Sequence, residues 1–133
     1  MSETAGDDYT SVLRTFANYC NAADEKDLDL LHDVFTPDAI WALSDGIEMH
    51  GIGEMQAMID RAVTTPRLTF HSISNVALTL DGDEGTATSN WILHGRTAVD
   101  VPWSVVSVGT YRDKLKKVGD RWLIADRRLD KWV

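Results

Sequence analysis

The sequence predicts an α+β fold: a cone-shaped α+β barrel in which three N-terminal helices pack on a curved, mainly antiparallel sheet. Three observations predict it. Apolar residues recur at steps of three and four in the opening segments, then alternate through the long segments that follow. Turn signals rich in Gly and Asp divide those later segments, at Asp81-Gly82-Asp83-Glu84-Gly85 and Val118-Gly119-Asp120. The three prolines, Pro37, Pro66 and Pro102, each fall where the pattern changes. A bent sheet closed by helices leaves room between its layers, so an enclosed pocket is expected inside the cone.

From Asp8, the residues Val12, Leu13, Phe16, Ala17, Cys20 and Ala23 follow one helical stripe, so a first helix runs to about Ala23. Asp24-Glu25-Lys26-Asp27 supplies a turn and an N-cap for a shorter second helix, whose buried face is Leu28, Leu31, Val34 and Phe35. Thr36-Pro37-Asp38 stops that helix, because proline disfavours helical geometry in the residue before it. Residues 39–43 and 47–50 read as short strands around Ser44-Asp45-Gly46. A third helix is expected over 51–63, with Ile52, Met55, Met58, Ile59 and Ala62 inward. Strands are expected over 68–80, 86–97, 103–117 and 121–132, the first two and the last two joined by the turns above.

A chain of 133 residues and 14.8 kDa holds one domain, over 8–133, behind an acidic, polar tail over 1–7. The 13 basic and 21 acidic residues leave a net charge of −8. Neither nucleic acid nor an anionic membrane gains from meeting such a surface. The single cysteine, Cys20, excludes an internal disulfide framework and a Cys-rich zinc site. No Gly-rich phosphate loop, His-Glu-x-x-His, Cys-x-x-Cys or Gly-x-Ser-x-Gly occurs, so no metal or cofactor is expected. The N-terminus lacks the basic start and apolar stretch of a signal peptide, and no run is apolar enough for a membrane span, so a cytoplasmic location is expected.

Among the four histidines, His32 and His50 read as surface residues, and His94 reads as a pocket-lining residue. His71 differs. Alternation puts His71, Ile73, Asn75 and Ala77 on one strand face, a polar island among apolar neighbours. Asp24 stands after Ala22-Ala23 at the junction of the first two helices, and Asp27 is also available as a cap. A carboxylate beside an imidazole fixes its tautomer and stabilises its charged form, the making of a general base. Tyr19, five residues before Asp24, could offer a hydroxyl to a substrate oxygen; packing is its other reading. Arg127 and Arg128 are adjacent on the last strand, so one faces inward and needs a partner there. The five tryptophans read as core, with Trp41 and Trp91 also walling the pocket.

This assembly resembles the SnoaL-like branch of the nuclear transport factor 2-like superfamily. The residues that carry the resemblance run from Tyr19 through Asp24-Glu25-Lys26-Asp27, then Leu31 with Phe35-Thr36-Pro37-Asp38-Ala39-Ile40-Trp41. They continue through Gly51, His71 with Ser74-Asn75, Gly109-Thr110-Tyr111-Arg112-Asp113, and Gly119 with Trp122-Leu123-Ile124 and Arg127. The resemblance spans nearly the whole chain. It implies that Asp24 and His71 match the Asp/His pair of scytalone dehydratase, hexachlorocyclohexane dehydrochlorinase and bile acid 7α-dehydratase, with Tyr19 matching a tyrosine of the last. Arg127 is similar to a pocket arginine of the dehydrochlorinase. Where scytalone dehydratase has a second pocket histidine, this chain has Trp91, with His94 nearby.

The implied function is that of a cofactor-independent lyase, a dehydratase or related β-eliminating enzyme, acting on a small apolar cyclic or aromatic substrate. His71 would be the base, Asp24 its partner, Tyr19 a donor to oxygen, and Arg127, Trp41, Asn75, Trp91 and His94 the substrate-binding residues. Two alternatives stand beside it: an isomerase or cyclase of a polyketide- or steroid-like substrate, and a non-catalytic small-molecule-binding domain. The resemblance also implies a homo-oligomer, trimer or dimer.

Overall fold

The apolar stripe at the N-terminus forms α1 (Ala5–Glu25), three residues longer at its start and two at its end than the spacing predicts. The structure, a computed structural model, describes residues 5–63 and 67–132. Of the expected tail, residues 1–4 therefore lie outside the described residues and 5–7 are helical; the expected boundary at Pro66 also lies outside. α1 ends where Lys26 takes a φ of 55° and the Asp27 N–H donates to the Ala22 carbonyl at 3.0 Å. This left-handed cap turns the chain and leaves Asp24 in the last helical turn.

The expected second helix is corrected to a five-residue 3-10 turn, Asp29–Asp33, so among the described residues two α-helices cover the sheet rather than three. The segment is too short to repay helix nucleation, and the sheet claims its end. Val34 accepts the Ile124 N–H at 2.8 Å, and Phe35 opens a strand paired with Ile124. That strand, β1 (Phe35–Ala42), contains Thr36-Pro37-Asp38 at a register shift, where a missing N–H is tolerated. Asp27 does cap the turn, accepting the Leu30 N–H at 3.4 Å, which leaves Asp24 unused by it.

β2 (Glu48–His50) and α2 (Ile52–Ala62) follow, then β3 (Thr69–Asp81), β4 (Glu84–Gly95), β5 (Ser104–Val118) and β6 (Arg121–Lys131). They form one six-stranded sheet in the order β2-β1-β6-β5-β4-β3. The pairing of β1 with β6 is parallel and the others are antiparallel. The sheet therefore keeps two free edges, at β2 and β3. α1 lies against β6 and β3, and α2 against β1 and β2.

Aromatic rings fill the space between the layers. Tyr19 sits at the centre, its ring 5.4 Å from Tyr111, 5.5 Å from Trp41 and 6.2 Å from Phe35, all edge-on. Trp91 stacks on Tyr111 at 5.8 Å and crosses Gly109, its partner on β5. A Cβ at position 109 would come within 2.6 Å of the indole, so glycine is required for that close approach.

Candidate active site

Asp24 reaches the site because the last turn of α1 ends beside the first residues of β3. A carboxylate there opposes the helix dipole, which favours positive charge at a C-terminus. Two donors from β3 offset this. The His71 backbone N–H donates to Asp24 Oδ2 at 2.7 Å, and the His71 ring donates from Nδ1 to Oδ1 at 2.7 Å. The Thr69 hydroxyl lies 3.5 Å from Oδ1. Because a carboxylate only accepts, the proton of the neutral ring belongs on Nδ1, and Nε2 keeps its lone pair. No hydrogen bond among the described residues engages Nε2. Asp24 is 3% exposed and the His71 side chain 17%, so the carboxylate is dry and the imidazole reaches an opening.

That opening is a groove of about 330 Å³ between α1 and β3. Leu13, Phe16, Ala17, Cys20 and Asn21 line it from the helix, and His71, Ile73 and Val76 from the strand. It is open along one side, which corrects the expectation of an enclosed chamber: the aromatic cluster occupies the cone's interior. Clefts of about 380 and 410 Å³ lie elsewhere, and neither is lined by a histidine. Burial pushes the Cys20 thiol up to about 12, so it stays protonated near neutrality.

Three expected site residues stand behind the groove. Tyr19 is buried, its ring 6.0 Å from that of His71, and its hydroxyl accepts from Tyr111 Oη at 3.4 Å. Burial pushes its phenol up to about 12, although the Arg127 guanidinium pulls the other way. Arg127 faces inward and its neighbour Arg128 outward, as the strand's alternation requires. The Arg127 guanidinium holds Asp113 through Nε and Nη2, both at 2.7 Å, with both side chains fully buried. Its faces meet the rings of Tyr111, Tyr19 and Phe16, with Cζ 3.9, 4.3 and 4.7 Å from their centroids. Trp41 packs on Tyr19 in the core and does not line the groove.

Trp91, Asn75 and His94 are not brought to the groove. Trp91 is core packing over Gly109 and Tyr111. A bulge between Ser74 and Ala77, with Asn75 at φ 56°, breaks the strand's alternation. Asn75 is thrown out to solvent, and Val76 rather than Ala77 follows Ile73 along the groove. His94 lies on the opposite face of the sheet from His71, stacked on Phe70 at 4.1 Å and 3.2 Å from Ser72 Oγ. Strand pairing explains it: His94 is the partner of Phe70, one residue from His71, and adjacent strand residues point to opposite faces.

The sequence patterns assign no site role to Asn21 or Asp113, and they give Phe16 and Cys20 as core alone. The signal was present: Leu13, Ala17, Cys20 and Asn21 climb the same helical face that ends at Asp24. Asp113 was legible only as the partner that an inward Arg127 requires. Among the described residues, no group of three or more His, Cys, Asp or Glu side chains is placed to hold a metal ion, and no helix is long and apolar enough to cross a membrane.

Residues 5–128 match the family described as SnoaL-like domain. No curated protein matches the chain. Among solved structures, a Mycobacterium tuberculosis protein of unknown function is 25% identical with a TM-score of 0.81; the match covers 92% of this chain and 70% of that one. A Novosphingobium aromaticivorans protein with the provisional name scytalone dehydratase is 18% identical with a TM-score of 0.79, covering 94% of this chain and 84% of that one. LinA is 13% identical with a TM-score of 0.79, covering 94% and 86%. At these last two identities the likeness is one of fold.

Proposed function

The chain belongs to the SnoaL-like domain family, and from that premise we propose that it is a lyase, a dehydratase or related β-eliminating enzyme, acting on a small apolar cyclic or aromatic molecule. The observation that carries the reading is the Asp24–His71 pair, with Nδ1 tied to a dry carboxylate and Nε2 free beside an apolar groove. His71 Nε2 takes a proton from a carbon next to an electron-withdrawing group. The C–H electron pair becomes the new double bond, and the β-substituent leaves with its own pair. Where that substituent is hydroxyl, the imidazolium returns the proton to it and water departs. Asp24 holds the ring in the reactive tautomer and balances its charge. Tyr19 and Arg127 contribute from behind the groove as positioning residues: Tyr19 packs edge-on against the His71 ring, and the Arg127–Asp113 pair holds Tyr19 from its other side. The general base supplies about 10² to 10⁴ in rate, and positioning in the groove supplies the rest. The reaction as written moves protons only and calls for no cofactor.

One observation favours a second reading. With the Cys20 thiol held protonated by burial, His71 is the one base among the groove-lining residues. A single base also suffices for an isomerase or cyclase, which shifts a proton without losing a group. A binding module would use the groove and leave the pair idle. The test presents the purified protein with cyclic β-hydroxy ketones and reads product mass. The lyase reading expects loss of one water, and a fall of about 10² to 10⁴ in kcat for His71→Ala and Asp24→Asn with ligand binding kept. An unchanged product mass supports isomerisation, and turnover indifferent to His71→Ala rejects both enzyme readings. The exposed Val105, Val106 and Trp132 are the apolar surface on which a homo-oligomer, trimer or dimer, would pack.

A further inference from the structure

We infer that the stretch of groove next to His71 holds a two-donor site for a carbonyl oxygen on the substrate, made by the Asn21 side-chain amide and the Ile73 backbone N–H. The inference rests on the reading that the groove takes a small molecule, and it names the functional group which that molecule must carry.

The walls of the groove offer few polar groups. Leu13, Phe16, Ala17, Ile73 and Val76 present hydrocarbon side chains. Cys20 has only a weak S–H donor, and His71 has a lone pair at Nε2. Asn21 is the exception. It is exposed, it lines the groove, and its amide has no hydrogen bond to any described residue. The second donor follows from strand pairing. β3 is an edge strand, paired with β4 alone. The His71 N–H points away from β4, because it donates to Asp24. N–H groups of an antiparallel strand alternate in direction, so that of Ile73 points the same way, to the free edge where no strand accepts it. The register is regular over this stretch, from His71 opposite Leu93 to Ile73 opposite Trp91. Asn21 lies three residues back along α1 from Asp24, a rise of about 4.5 Å. Ile73 lies two residues on from His71, a step of about 7 Å. Both steps lead along the groove, toward Leu13 on the helix and Val76 on the strand. The two donors therefore stand on opposite walls of one stretch of groove, beside the imidazole.

Charge selects the class of oxygen. The Asp24–His71 pair carries the negative charge of Asp24 until Nε2 gains a proton, so a ligand that arrives as an anion is repelled. A ketone arrives neutral and accepts from both N–H groups. When Nε2 takes the proton from the carbon beside the carbonyl, the charge of the C–H electron pair spreads onto the oxygen, and the Asp24–His71 pair becomes neutral. The two donors then meet a developing oxyanion, which they bind more strongly than the ketone.

The test titrates the ¹⁵N-labelled protein by NMR with three molecules of similar size: cyclohexanone, its hydrocarbon isostere methylenecyclohexane, and cyclohexanecarboxylate. Cyclohexanone should bind about tenfold tighter than methylenecyclohexane, the value of two hydrogen bonds to neutral donors, and also tighter than the carboxylate. It alone should shift both the Asn21 side-chain amide and the Ile73 backbone amide downfield. Position 21 is exposed on α1, so Asn21→Leu leaves the core intact. That variant should prefer cyclohexanone by only about threefold, the share of the Ile73 N–H. It should also lower kcat/KM toward cyclic β-hydroxy ketones by about 10- to 100-fold, less than a water-excluded donor contributes, because the groove is open. Equal binding of cyclohexanone and methylenecyclohexane by the wild type, tightest binding of the carboxylate, an unmoved Asn21 amide, or an Asn21→Leu variant with the wild-type preference would overturn the inference. His71→Gln separates the two proposals, because it should abolish turnover and keep the preference for the ketone. Lost preference with His71-dependent turnover defeats the oxygen site alone, and kept preference with turnover absent or indifferent to His71 defeats the lyase reading alone.

Discussion

Removing half of the Arg127–Asp113 pair should damage the protein more than removing all of it. The two residues face each other across β5 and β6, both fully buried and joined by two bonds of 2.7 Å. Arg127→Met leaves a buried carboxylate with no counter-charge, a cost of about 3 to 5 kcal/mol. For a domain of this length that lowers Tm by roughly 10 to 20 °C. Asp113→Leu strands the guanidinium and should cost a similar amount. The double variant abandons both desolvation penalties and loses only the ring contacts on Arg127, each worth about 0.5 to 2 kcal/mol. It should lie within about 2 kcal/mol of the parent, because replacing a buried ion pair by apolar groups is often close to neutral. The four proteins form a double-mutant cycle, read by urea denaturation followed by circular dichroism, with an interaction energy of at least about 3 kcal/mol. If Arg127→Met costs under about 1 kcal/mol, or the double variant costs the sum of the singles, the pair is not the buried, mutually dependent unit described here.

Gly109→Ala should destabilise the fold by about 1 to 3 kcal/mol in the same assay, since a methyl group there meets the Trp91 indole and the Asp130 carbonyl; a neutral result would mean that the indole does not cross that position. Stability should fall as pH rises from 10 toward 12. In that window Tyr19 has lost its proton in the unfolded chain and keeps it in the folded one, so this group contributes a slope of about −1.4 kcal/mol per pH unit. Tyr19→Phe should make the fall less steep by that share, while Tyr111 and Cys20, also raised by burial, keep theirs, and an unchanged slope would refute the reasoning. Native Cys20 should react with iodoacetamide more than about a hundredfold slower at pH 8 than it does in urea, because its raised pKa leaves little thiolate; equal rates would place the thiol in the open.

Much of this architecture was legible because burial writes periodicity into a sequence. The helical stripe from Val12 to Cys20 and the Gly-Asp turns at 81–85 and 118–120 fixed the order of elements to within a few residues. Asp24 was legible for a different reason. It follows the apolar Ala22-Ala23 at a helix junction, and with Asp27 nearby to do the capping its carboxylate is left for a partner elsewhere. What failed was whatever depends on distant strands. The second helix dissolved because Phe35 pairs with Ile124, some ninety residues on, and no local preference reports that. Asn75 was assigned to the wrong face because alternation holds only while a strand is regular, and a one-residue bulge inverts it. The enclosed chamber was expected from the shape of the cone alone, and the volume of Tyr19, Trp41, Trp91 and Tyr111 fills that space.

The claim on which the site depends is that Asp24 fixes His71 with its proton on Nδ1 and a bare Nε2 facing the groove. The most direct measurement is the ¹⁵N NMR spectrum of the neutral His71 ring, recorded for the wild type and for Asp24→Asn. The account predicts an Nδ1–H tautomer in the wild type and a shift toward Nε2–H in the variant, whose amide can donate to Nδ1 as a carboxylate does not. An Nε2–H ring in the wild type, or a ring indifferent to the substitution, would contradict it.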